Sequence, residues 1–184
     1  MRVERLRAAY QIDVKFRHFP LHPDTPAEGL TLEQLFAGRN IDIPAAKARM
    51  TGLMAEEGLD YGDRTMTYNS RLAQELAKWA ETQPGGDAIH DALFRAYFVD
   101  GLNIALVDTL VGVAEQASLP KDESREVLDS RRFKDAVNAD WRRSSELGVT
   151  GVPTFVVGNH VVVGAQPYEA LEKLVVEAGA KPAT

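Results

Sequence analysis

The chemistry open to this 184-residue chain is bounded first by an omission: it contains no cysteine. A thiolate nucleophile, a disulfide framework and a thiolate zinc site are therefore excluded within these residues. The carboxylates show neither His-x-x-Glu nor EF-hand spacing, so no metal is expected. Neither a glycine-rich phosphate loop nor a Gly-x-Ser-x-Gly elbow is present. What stands out instead is the stretch from Gly148 to Pro167, which reads GVTGVPTFVVGNHVVVGAQP.

That stretch dictates its own local structure. Two β-branched runs, Thr154–Val157 and His160–Val163, flank Gly158-Asn159, a pair that tolerates positive φ, and this predicts a hairpin. Pro153 has no N–H to give a ladder, so it must open the first strand. Beyond Pro167, Leu171, Leu174, Val175 and Ala178 recur at helical spacing with Gly179 behind them, which predicts a closing helix.

Upstream, Val3, Leu6 and Tyr10 share one helical face without a capping residue ahead of them. The alternation Ile12-Asp-Val14-Lys-Phe16-Arg-His18 predicts a strand with one face in solvent. After the proline-rich loop 19–26 the pattern is helical almost to residue 147. Thr31-Leu-Glu-Gln34 is a capping box, and Asp42 or Pro44 opens a helix with Ala46, Met50, Leu53 and Met54 inside. Asn69 or Ser70 caps a helix over 71–81. Further helices are expected over 87–99, 104–117, 120–129 and 131–147, with Trp79, Phe94, Tyr97, Phe98, Phe133 and Trp141 read as core.

The order helix, strand, helical block, hairpin, helix, together with the wording Gly-Val-Pro-Thr-Phe and Gly-Ala-Gln-Pro, resembles the DsbA-like thiol–disulfide oxidoreductases, FrnE-like branch, over roughly residues 12 to 178. The resemblance implies an α/β, thioredoxin-like fold with a large all-helical insertion. Residues 1–28 and 148–184 would form the thioredoxin-like domain and residues 29–147 the insertion. It also implies a first strand and a Cys-x-x-Cys turn ahead of residues 2–10, lying between strand 12–18 and strand 154–157 in the sheet. The chain is expected to begin after that point. Strands 12–18 and 154–157 must then pair directly, leave a gap, or accept a strand from a second copy, which admits a homodimer.

Site residues follow from the same resemblance. Pro153 is expected in cis, facing the redox sulfurs; Val152 would pair through its backbone with substrate, and Thr154 would line the site. His22 corresponds to a loop bordering the cleft, Asn69 to a family Asn-Thr motif beside it, and Gln166 to a turn approaching it. Each also has a plain structural reading: loop, helix cap and tight turn. No catalytic residue is present, because the Cys-x-x-Cys is absent. The substrate would be a protein or small molecule bearing a thiol or disulfide.

Two rivals stand beside this reading. One is a glutathione-dependent isomerase or transferase of the 2-hydroxychromene-2-carboxylate isomerase and kappa-class type. No cofactor is required, but glutathione stays open as a ligand. The other is a non-catalytic, chaperone-like module that binds extended peptide at the proline. A net charge of −6 and a pI near 5.3 argue against nucleic-acid or anionic-membrane partners. No apolar run approaches the roughly 20 residues of a membrane span, and residues 1–10 lack a signal-peptide core, so a cytoplasmic location is expected.

Overall fold

The computed structural model describes residues 2–183; Met1 and Thr184, the outermost residues of the expected sheet domain, lie outside them. Two compact units emerge, one of Met1–Leu21 with Asp140–Thr184 and one of His22–Ala139.

The first unit holds helix α1 (Arg2–Ala9), strands β3 (Thr154–Val157) and β4 (His160–Val163) and helix α9 (Tyr168–Glu177). The hairpin forms as its turn residues predict. Gly158 takes a φ of 58°, in the left-handed region that glycine enters without steric cost. The register pairs Thr154 with Val163 and Val157 with His160. Phe155 and Val157 pack against the buried Leu6, Leu171 and Val175, with Tyr10 and Ile12 beside them. The other face leaves Val156, Val161 and Val163 exposed.

Strand 12–18 does not form. Residues 11–20 carry no regular structure, although their alternation suits a strand, because an isolated segment has no ladder to join. It is anchored near its ends. Gln11 donates its backbone N–H to the Lys181 carbonyl (2.8 Å), and the buried Asp140 accepts from Arg17 Nη1 (3.2 Å) and the His18 N–H (3.1 Å). Between these anchors the N–H groups of Asp13, Val14 and Lys15 find no partner among the described residues. Among the described residues β3 pairs with β4 and not with segment 12–18, so the direct pairing that was one of the three expected outcomes is not made.

The second unit is built from helices. These are α2 (Leu32–Leu35), α3 (Ile43–Glu56), α4 (Arg71–Ala80), α5 (Ala88–Phe98), α6 (Val107–Gln116) and α7 (Lys121–Ser130), with the first turns of α8 (Lys134–Glu146). Two-residue strands β1 (Leu30–Thr31) and β2 (Met66–Thr67) pair within it and are too short for any periodicity to announce. The capping box at Thr31 and Gln34 is made in full, and Asp42 caps α3. Trp79, Leu76, Ile89, Leu110 and Leu128 form the centre of a large core. Two expectations fail here. Phe94 is 58% exposed, stacked on Phe98 at the surface, and α3 buries no residue at all.

Candidate functional site

The loop that enters β3 carries three of the candidate residues, Val152, Pro153 and Thr154, all within the sheet unit. The Val152-Pro153 bond is cis. Val152 is 52% exposed at the mouth of the strand. Thr154 donates its hydroxyl back to the Gly151 carbonyl (2.7 Å), closing the loop on itself. The Pro153 carbonyl accepts from the Gly164 N–H (2.7 Å), which extends the hairpin ladder by one pair.

This extension fixes which backbone groups face outward. In an antiparallel ladder, hydrogen-bonded and non-hydrogen-bonded pairs alternate. The bonded pair at Pro153 and Gly164 therefore makes Phe155–Val162 and Val157–His160 bonded. Thr154 and Val156 turn their N–H and C=O groups away from β4, and β3 has no second neighbour among the described residues. The edge beside Val152 thus presents a short row of strand donors and acceptors.

Gln166 lies in the turn after β4, where its side-chain amide N–H and its backbone carbonyl are both engaged. Its side-chain N–H donates to the Val163 carbonyl (2.7 Å), and its own carbonyl accepts from Arg2 Nη1 (2.7 Å). A surface depression of about 650 Å³ runs along β4 and α9, bordered by His160, Val161, Gln166, Lys173 and Glu177. Val152, Pro153 and Thr154 do not line it.

His22 and Asn69 belong to the helical unit, where the structure brings them to one loop. The Asn69 amide donates to the carbonyls of Pro23 (3.0 Å) and Thr25 (2.8 Å), while its Oδ1 accepts from the Arg71 N–H (2.9 Å). One side chain therefore pins the loop beside His22 and caps the start of α4; Ser70 makes no side-chain cap. Burial holds the His22 pKa below the usual histidine value, and the nearby charges of Arg39 and Arg64 act the same way.

Sequence reasoning missed a second feature of this unit. Glu75, with no exposed surface, accepts from Arg71 Nε (2.7 Å) and from Arg131 Nε and Nη2 (both 2.7 Å). Arg71 reaches on to the Lys134 carbonyl and Asn138 Oδ1. Burial pushes the Glu75 carboxyl up, but the hydrogen bonds and charges of Arg131 and Arg71 outweigh it and hold the pKa below the usual value. The i,i+4 spacing of Arg71 and Glu75 was the sole trace of this in sequence.

A hairpin entered through Val-Pro, a closing helix packed on it and a helical block between the two halves of the chain define a thioredoxin-like fold with an insertion. The chain belongs to the DSBA-like thioredoxin domain family, whose model matches residues 1–176. It is similar to the solved "probable DsbA oxidoreductase" from Streptomyces coelicolor, at 29% identity and a TM-score of 0.88 over 96% of this chain and 81% of that one. The solved 2-hydroxychromene-2-carboxylate isomerase shares the fold, with a TM-score of 0.72 at 19% identity over 97% of this chain and 85% of that one. YwbO of Bacillus subtilis is 29% identical over 105 residues, 56% of this chain and 52% of that protein. The match thus spans about half the length of this curated relative. The family expected from the Gly-Val-Pro-Thr-Phe wording is borne out. Within its 184 residues this DsbA-like domain holds no thiol. Among the described residues no helix is long and apolar enough to cross a membrane.

Proposed function

We propose that this chain supplies the substrate-docking wall of a thiol–disulfide exchange cleft. An extended segment bearing a thiol or disulfide lies along Val152, Pro153 and Thr154 and pairs with the outward N–H and C=O groups of Thr154 and Val156. The observation that carries this reading is the unpaired β3 edge beside an exposed Val152 in a DsbA-like domain. Backbone pairing supplies affinity without demanding a particular side chain.

Exchange itself needs a cysteine pair from outside these residues. Its thiolate would attack one sulfur of the docked disulfide, form a mixed disulfide and expel the other sulfur as a thiolate. A glutathione-dependent reading is less well supported. The Ala165-Gln166 turn has no carboxylate for the ammonium of glutathione, and the Gln166 amide is occupied by Val163.

Val156→Pro tests the reading, because it removes an outward N–H and leaves the ladder to β4 intact. Fluorescence anisotropy with a labelled, disulfide-bearing extended peptide should show binding weakened roughly 2- to 10-fold, the worth of about one hydrogen bond. Equal binding by the wild type, Val156→Pro and Val152→Asp would refute it.

A further inference from the structure

Three basic side chains from separate stretches of the helical unit stand together. His22 opens the unit, Arg39 follows α2 and Arg64 precedes β2. The charges that act on the His22 ring are those of Arg39 and Arg64, and both disfavour its proton. The chain carries 27 acidic residues against 21 lysines and arginines, so a gathering of bases is not a matter of composition. The loop that carries Arg64 does hold two acids, but both are drawn off: Asp60 pairs with Arg95 (3.3 Å) and Asp63 with Lys47. Neither Arg39 nor Arg64 forms an ion pair among the described residues. Like charges held close repel, and an anion between them would relieve this.

The bonding of Arg64 says which anion. Its Nη1 donates to the Met66 carbonyl (2.8 Å) and the Tyr97 hydroxyl (2.6 Å). The guanidinium lies over the Tyr97 and Phe98 rings, 4.8 and 5.6 Å from their centroids, so its plane is fixed. The Nε N–H is enclosed without a partner, and Nη2 has none among the described residues. A buried donor left unmade is costly. Nε and Nη2 form one edge of the guanidinium, spaced to take both oxygens of a carboxylate. The loop beside His22 is fixed as well, since Asn69 and Asn103 hold the carbonyls of Pro23, Thr25 and Ala27. A phosphate has a third oxygen to satisfy, and the chain lacks the glycine-rich loop whose backbone N–H groups would do so. We infer that Arg64, Arg39 and His22 form a binding site for the carboxylate of a small organic acid. Nη2 of Arg64 meets the ligand first, and a small turn of this half-buried side chain brings Nε to the second oxygen. Arg39, which is exposed, folds onto the bound charge. The site lies within the helical unit and does not depend on the docking function proposed for β3.

Proton NMR of the histidine rings tests this. The chain has four histidines, and His22→Gln identifies the signals concerned. Sodium butanoate, added to the 184-residue chain at constant ionic strength, should move the His22 signals along a saturating curve with a dissociation constant on the order of 1 mM. It should also raise the pH at which His22 titrates, because the bound anion offsets the charges of Arg39 and Arg64. Butanamide, which has the shape without the charge, should leave the signals unmoved. Arg64→Lys keeps a positive charge but loses the two-donor edge, and should weaken binding about tenfold. Arg39→Gln, at an exposed side chain, should weaken it about 2- to 5-fold with the helical circular dichroism unchanged. His22 signals that respond no more to butanoate than to butanamide overturn the inference. So does inorganic phosphate that binds more tightly than butanoate, or butanoate binding indifferent to both Arg64→Lys and Arg39→Gln.

Discussion

Among the described residues, fifteen apolar side chains of the helical unit are buried in one cluster centred on Trp79 and Leu76, whereas the cluster of the sheet unit holds three, Leu6, Leu171 and Val175. The helical unit also spends its buried charge well, since Glu75 is met by two arginines. The sheet unit has a two-stranded hairpin with one valine face in solvent and a segment, 12–18, that alternates like a strand without a ladder to join. A lone hairpin is marginal in water. Stability is therefore concentrated in the helical unit, and the docking edge proposed for β3 sits on the more weakly cored one. This fits the rule that binding elements come from the low-stability end of a protein.

The contrast can be broken from its strong side first. Trp79→Ala empties the middle of the helical core and removes an indole N–H that donates to Glu123 (3.2 Å). It should cost about 3–5 kcal/mol in urea unfolding followed by helical circular dichroism. Glu75→Gln withdraws the anion that Arg71 and Arg131 share. Arg131 is 42% exposed and can turn to water, so the loss should sit near the low end for a broken buried pair, about 3 kcal/mol.

The pH dependence of that loss has a definite sign. The folded pKa of Glu75 is depressed from its ordinary value of 4.5. The stability it contributes is then present above 4.5 and disappears as pH falls through the folded value. The gap between wild type and Glu75→Gln should be constant near pH 7 and shrink below pH ~4.5. A gap that widens on acidification would reverse the assignment.

Leu171→Ala sharpens the comparison from the weak side. With few neighbours to hold a cavity open the unit can partly collapse, so about 2 kcal/mol is expected, and hydrogen exchange should show protection lost at β3 and β4 but kept in α4 and α6. Thr31→Ala removes one half of the capping box on α2 and should cost about 1 kcal/mol, with no change at the hairpin.

Much of this was legible in the residues. The Gly158-Asn159 turn, the proline at the strand mouth, the capping box and the helix opened by Asp42 depend on local chemistry, and each formed as read. The failures share one cause, which is that burial and pairing are not local. Residues 12–18 have the period of a strand, but a strand exists only when a neighbour accepts its hydrogen bonds. Met50 and Leu53 have the period of a core face, but α3 buries none of its residues. Phe94 has the type of a core residue and lies on the open side of α5. Of the site residues, Asn69 was readable as a helix cap, while its grip on the carbonyls of Pro23 and Thr25 needed coordinates. The clamp on Glu75 was invisible because Arg131 lies 56 residues away in sequence.

The central claim, that the outer edge of β3 beside Val152 receives substrate backbone, is tested most directly by amide hydrogen exchange at Thr154 and Val156 with and without a saturating disulfide-bearing extended peptide. The account predicts that both amides, fast in the free chain because they point off the edge, slow at least tenfold on binding, while Phe155 and Val157, already bonded to β4, change little. Unchanged exchange at Thr154 and Val156 under saturation, or slowing confined to the depression along β4 and α9, would contradict it.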